Sequence, residues 1–249
     1  MWLYQTGNWD NKPIVIFDYK SSRSGAHPQD YLNGFHGFLH TDGYGGYEKV
    51  DGIVRCGCWA HLRRKFVEAM PPGAEKLITP CTAEIGKGYC DQLFKLEKEF
   101  AEFSYEERRN KRLEKEKPIL EAFWCWLETI TALKNSKLNK AITYAWNQKK
   151  YLENYLLDGR CSLSNNIAEN SIRPFCVGRK NWLFSESTQG AEASAAIYSI
   201  IETAKANEIN PMLYLQYIFT YMPEADIKNN PDIMESMMPW SKDYQEFIK

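Results

Sequence analysis

The sequence predicts an α/β fold with a helical insertion and a helical C-terminal region. Three observations carry this. The first third alternates short β-branched or aromatic runs with turn residues, the middle third is rich in Lys and Glu with apolar residues at helical spacing, and the last third is apolar at helical spacing again. Trp2-Leu3-Tyr4-Gln5 reads as a strand, Asn8 to Lys12 as a turn and Pro13 to Tyr19 as a second strand, together a hairpin. A short helix is expected over Gln29 to Phe35. The strand Gly37 to Thr41 follows and ends at Asp42, where Gly43, Gly45 and Gly46 force a turn. Gly52 to Cys58 is the next strand. Ala60 to Met70 is a helix, carried by Leu62, Phe66 and Met70 and stopped by Pro71-Pro72-Gly73.

From Tyr89 to about Ile130 helices are expected through Leu93, Leu96, Phe100 and Phe103, then through Leu113, Leu120, Phe123, Trp124 and Leu127, with Pro118 suited to the first turn of the second run. The charged tract Glu106 to Lys117 reads as a solvated helix face or a polar loop. A further helix fits Asn139 to Leu157. Gly190 to Ala206 is helical, and Asn210-Pro211 opens an aromatic helix over Met212 to Tyr221. The tail from Pro223 carries Pro, Asp and Asn, then a short Met237-Met238-Pro239-Trp240 segment.

A chain of 249 residues, 44% hydrophobic, can bury a full core, and its net charge of −1 confines any nucleic-acid surface to a local patch. Seven cysteines without regular spacing argue for reduced thiols rather than a disulfide scaffold. No apolar run approaches a membrane span, and no signal-peptide order opens the chain, so a soluble, cytoplasmic protein is expected.

Two carboxylates stand out. Asp42 follows an apolar strand, and Glu169 falls on the first turn of a helix; carboxylates on rigid elements are suited to hard divalent cations. Each also has a plain structural reading. Asp42 can cap its own turn. Glu169 can close a capping box with Asn166 or pair with Arg173 four residues on. Two basic clusters follow these carboxylates: Cys58-Trp59-Ala60-His61-Leu62-Arg63-Arg64-Lys65-Phe66, and Gly178-Arg179-Lys180-Asn181-Trp182-Leu183-Phe184. Cations beside an aromatic that stacks on a base are the ingredients of a nucleic-acid contact.

These motifs stand in order: Thr41-Asp42-Gly43-Tyr44, then Cys58-Trp59-Ala60-His61 with Arg63-Arg64-Lys65-Phe66, then Asn165-Asn166 with Glu169, then Gly178 to Phe184. Together with Tyr198 to Lys205, Asn210-Pro211 and Met238-Pro239-Trp240, the set resembles the transposases of the insertion-sequence-sixty-six family, of the DDE class with an RNase H-like core. The resemblance implies a mixed sheet and divides the chain into a first part of the core (1–73), a helical insertion (74–160), the rest of the core (161–222) and a tail (223–249). It implies that Asp42 and Glu169 are catalytic and hold two Mg²⁺ or Mn²⁺ ions for DNA strand cleavage and strand transfer. Arg63, Arg64, Lys65, Arg173, Arg179, Lys180, Asn181 and Trp182 would then contact DNA, both transposon ends and target. Cys58, His61 and Asn166 would support the site; Cys58 and His61 alone are too few ligands for structural zinc. A homodimer and helper proteins of the same element are further partners consistent with it, and no membrane is involved.

The family's first aspartate, in an Asp-Glu-Thr segment on the first strand of the sheet, has no match in this sequence. The chain is therefore expected to be an N-terminally truncated and inactive copy. Two other readings stay open: a non-catalytic DNA-binding or inhibitory fragment, and an RNase H-like structure-specific nuclease.

Overall fold

The computed structural model describes residues 1–74, 78–183 and 185–248. The chain forms two compact units, one discontinuous (Met1–Ser22 with Ile167–Lys249) and one continuous (Arg23–Asn166).

In the discontinuous unit, β1 (Trp2–Gln5) and β2 (Val15–Asp18) pair antiparallel with Trp2 opposite Asp18, which is the expected hairpin. The other edge of β2 is closed by a helix rather than a strand. Within the helix that spans Thr188–Ala206, Ser199 accepts from the Phe17 amide at 2.8 Å, and Thr203 both accepts from and donates to the Val15 backbone at 3.0 Å. Two hydroxyls one helical turn apart thus satisfy an edge that would otherwise recruit another strand. Val15, Phe17 and Ala195 are buried beneath, with Ile172, Phe175 and Tyr198 against them.

In the continuous unit a short helix, α1 (Ala26–Tyr31), precedes β3 (Gly37–His40), which pairs parallel with β4 (Ile53–Cys56). A 3-10 turn over Gly45–Lys49 lies between the strands. The helices α2 (Trp59–Ala69), α3 (Thr82–Glu99), α4 (Tyr105–Lys111), α5 (Lys117–Glu128) and α6 (Lys137–Leu152) follow. Their buried faces keep helical spacing: Trp59, Leu62 and Phe66 on α2; Cys90 and Leu93 on α3; Leu120, Phe123, Trp124 and Leu127 on α5; Ala141, Ala145 and Leu152 on α6. Gly86 lets α3 approach α2, because a Cβ there would meet the Phe66 ring at 2.5 Å. Ser104 and Glu107 form a capping box at α4, Ser136 caps α6, and Pro118 takes the first turn of α5 as expected.

The remaining helices are α7 (Asn166–Trp182), α8 (Thr188–Ala206), α9 (Pro211–Tyr221), α10 (Ile233–Ser236) and α11 (Lys242–Phe247). Tyr214, Tyr217, Ile218, Met237 and Tyr244 form a separate core, so residues of the partly helical tail pack against α9. No helix among the described residues is long and apolar enough to cross a membrane.

The mixed α/β class stands. The described strands, however, form two two-stranded sheets, one antiparallel and one parallel, rather than one mixed sheet. The helix expected over Gln29 to Phe35 lies at Ala26–Tyr31 with Leu32 as its C-cap, and Gly34 at φ 80° is incompatible with its reaching Phe35. The helix expected over Asn139 to Leu157 ends at Leu152 and continues as a 3-10 turn over Asn154–Leu157.

The tract Glu106 to Lys117 also departs from its reading. It is helical throughout, with a π-helical stretch over Arg112–Glu116, and both Arg112 and Glu116 are 0% exposed. Arg112 spends all five guanidinium N–H groups internally: on Glu97 at 2.7 and 2.8 Å, and on the carbonyls of Tyr155, Asp158 and Cys161 at 2.9, 3.0 and 2.7 Å. Burial works against ionisation of Glu97, yet Arg112 and Arg108 hold its carboxyl below the ordinary range. Glu116 accepts from the Tyr155 hydroxyl at 2.8 Å, and burial, then Glu97, pushes its carboxyl up to about 8.

Candidate active site and nucleic-acid interface

Asp42 directly follows β3 and is half-buried. Its Oδ1 accepts from the Tyr44 amide at 2.9 Å, so the turn-capping reading describes one of its oxygens. The loop it starts is clamped by Arg55 of β4, a buried cation. Arg55 donates to Thr41 Oγ1 at 2.7 Å, to the Asp42 carbonyl at 2.7 Å and to the Tyr44 carbonyl at 3.2 Å, and its guanidinium stacks 4.3 Å over the Tyr151 ring. Burial and then the Asp42 carboxylate push the Tyr47 hydroxyl up to about 12. Arg55 escaped the sequence reading, although a lone cation inside an apolar strand is the signal that would have found it.

Glu169 lies in the first turn of α7, as expected, where the helix dipole favours a carboxylate. Asn166 is the first residue of the same helix. Asp42 belongs to the continuous unit and Glu169 to the discontinuous one.

On α2 the three adjacent cations have different surroundings. Arg63 pairs with Asp91 at 2.6 Å, and Lys87 reaches the same carboxylate at 2.5 Å. Burial opposes its ionisation, but Lys87 and Arg63 hold Asp91 below the ordinary carboxylate range. Lys65 sits 4.9 Å over the Tyr144 ring, and Arg64 is exposed. Arg63 and Arg64 line a groove of about 640 Å³ together with Lys95, Lys98 and Asn166. The two lysines of α3 add to the basic character of that groove. They were hidden in a Lys/Glu-rich tract whose charges looked like an ordinary solvated face.

Cys58 is buried and His61 half-buried; between them Trp59 donates to the Leu152 carbonyl at 2.9 Å, fixing this segment in the core. Among the described residues, the group of His, Cys and acidic side chains that converges is a different one, His40, Cys56 and Cys161.

On α7, Arg173, Arg179, Lys180, Asn181 and Trp182 are all exposed. Arg179 donates to the Leu183 carbonyl at 3.1 Å, where Leu183 at φ 63° ends the helix. Gly178 leaves room for Trp182 to fold back, since a Cβ there would meet the indole at 2.5 Å; the ring rests near Phe175 and Tyr198. Phe184, the last residue of that motif, lies outside the described residues.

Both carboxylate motifs and both basic clusters fall in one stretch matched by a family model. The model described as Transposase IS66 family matches residues 1–193, and that of the IS66 C-terminal element matches residues 199–240. The chain belongs to the IS66 transposase family. Relatives of this family member include three uncharacterized proteins of Sinorhizobium fredii. Protein y4hP is 32% identical over 245 residues, covering 92% of this chain and 44% of the relative. Protein y4qI is 30% identical over 241 residues (92% and 43%), and y4jD is 29% identical over 244 residues (92% and 46%). The chain thus spans less than half the length of these relatives. No solved structure matches it.

Proposed function

We propose that this chain is part of a DDE-class transposase of an insertion element, in which Asp42 and Glu169 hold divalent metal ions against a DNA phosphodiester. The observation that carries the reading is the family match over residues 1–193, which takes in both carboxylates. Two carboxylates, one after a clamped strand and one on a helix, suit hard ions such as Mg²⁺ or Mn²⁺. When bound, such ions activate the attacking water or 3′-hydroxyl and stabilise the leaving oxygen. Arg55 holds Asp42 and its loop in place. Arg63, Arg64, Lys65, Lys95 and Lys98 of the continuous unit, and Arg173, Arg179 and Lys180 of α7, take the phosphates of transposon-end and target DNA, with Trp182 as a stacking surface.

Neither of the nearest acids matches the family's first aspartate by sequence. Asp10 Oδ1 accepts from the Lys12 amide at 3.0 Å within the hairpin turn, and Asp18 Oδ1 pairs with Lys20 at 3.1 Å while its Oδ2 is buried without a hydrogen-bond partner among the described residues. With two carboxylates assigned, residues 1–249 alone are expected to leave DNA uncut.

Iron-directed cleavage tests the shared site without needing catalysis. With Fe²⁺ and ascorbate, the backbone is expected to be cut beside both Asp42 and Glu169, with excess Mg²⁺ suppressing the cuts and Asp42→Asn abolishing both sets. Cuts beside one residue only would sink the shared site. A purely DNA-binding role, favoured by the exposed cations of α7, is read out as binding that persists in EDTA with no iron-directed cuts.

A further inference from the structure

His40 closes β3 and Cys56 closes β4, and the parallel register makes them direct cross-strand partners. Cys161 reaches the same place from the segment between the Asn154–Leu157 turn and α7. All three belong to the continuous unit. One imidazole nitrogen and the two sulfurs lie within 4.8 Å of one another, and the sulfurs are 4.0 Å apart. Cys56 and Cys161 are 0% and 3% exposed, whereas His40 is half-buried. Nδ1 of His40 is shielded from solvent and has no hydrogen-bond partner among the described residues.

We propose that His40, Cys56 and Cys161 bind a zinc-like divalent ion, with water or another small ligand in the fourth position on the half-buried histidine side. Distances favour a metal over a disulfide. Tetrahedral Zn–S bonds of about 2.3 Å set two sulfurs roughly 3.8 Å apart. A disulfide bond of about 2.05 Å would instead require a closure of about 2 Å. The ligands are also held in place by their own backbone. The Cys56 carbonyl accepts from the Thr41 amide at 3.0 Å; the Cys161 carbonyl accepts from Arg112 at 2.7 Å, and its amide donates to Asp158 at 3.1 Å. Charge balances as well. Each thiol releases its proton when the ion enters, so two thiolates neutralise the divalent ion and the buried region gains no net charge.

Two sulfur donors disfavour Mg²⁺, so this site is chemically distinct from Asp42 and Glu169 and does not rest on their role. Occupied, it would tie the end of β3, just before Asp42, to the segment that leads into α7.

The test uses residues 1–249, stripped with chelator and dialysed against Zn²⁺ or titrated with Co²⁺. The expected result is one tightly held ion per chain by elemental mass spectrometry. With Co²⁺, a thiolate-to-cobalt band in the near ultraviolet and the visible bands of a four-coordinate site should appear. Cys161→Ser and His40→Ala should each weaken Co²⁺ binding by at least about tenfold. Cys125→Ser, at an exposed thiol of α5, should change nothing. Circular dichroism of the metal-free variants checks their folding, and half-buried His40 is the safer position if Cys161→Ser does not fold. The proposal is overturned by any of four results: no stoichiometric ion on the unaltered chain, a cobalt spectrum without the sulfur band, folded variants that bind as tightly as the parent, or Cys56 and Cys161 found joined as a disulfide in freshly purified protein.

Discussion

In the continuous unit, Arg112 is a buried cation whose five donors are all spent on carbonyls and a carboxylate, and buried Arg55 spends Nε and Nη2 on a hydroxyl and two carbonyls, whereas in the discontinuous unit Arg173, Arg179 and Lys180 stand exposed along α7. A guanidinium that loses its water must be repaid by internal acceptors, and so it organises the backbone around it. A solvated cation fixes little and remains available to a polyanion. Net charge blends the two kinds and cannot tell them apart.

The comparison can be broken most forcefully at Arg112. Arg112→Met leaves Glu97 buried without its main partner, and urea unfolding should show a loss of about 3–5 kcal/mol. A loss under about 1 kcal/mol would mean that Arg112 does not organise its surroundings.

Glu116 sharpens the same point through pH. Its carboxyl is raised in the folded protein, from an ordinary value of 4.5 to about 8, by burial and then by Glu97. Between those values the folded state binds the extra proton, so stability is full below the lower value and falls as pH rises toward 8. Glu97, held low, acts in the opposite sense and loses its contribution only as pH falls below its ordinary range. Replacing Glu116 by Gln should flatten this decline between 4.5 and about 8 by on the order of 1 kcal/mol per pH unit. Identical pH profiles for the two proteins would show that Glu116 is not held neutral.

The smallest effect on stability is expected at α7. Arg179→Ala with Lys180→Ala should stay within about 0.5 kcal/mol of the parent in unfolding. The same change should flatten the slope of log DNA affinity against log salt by roughly one to two units. An unaltered slope would make these cations part of an ordinary solvated face.

What the sequence disclosed follows from what local pattern encodes. The hairpin, the strand before Asp42, α2 and the helix bearing Glu169 were legible because apolar spacing and turn residues are local signals. The buried pair of Arg112 and Glu116 was not, since its acceptors at Tyr155, Asp158 and Cys161 lie far along the chain and its own neighbours are charged. The convergence of His40 with Cys56 and Cys161 was hidden for a related reason. It needs the β3–β4 register and a loop about a hundred residues on, and no short motif carries either. The small core that joins Tyr214 and Tyr217 of α9 to Met237 and Tyr244 was not legible either, because no periodicity in the short tail marks which of its residues turn inward.

The hydroxyl seal on β2 bears on how this protein is made. Val15 and Thr203 are 188 positions apart, so the hairpin leaves the ribosome long before the helix that closes its edge. At roughly 5–20 residues per second, translation takes on the order of 10–40 s to cover that interval. During that time the Val15 and Phe17 amides face water or whatever strand is near, a long-range closure of the sort that slows folding. Nascent chains of this protein are thus most open to mispairing before Thr203 emerges, and a chaperone that holds the β1–β2 hairpin would act in that window.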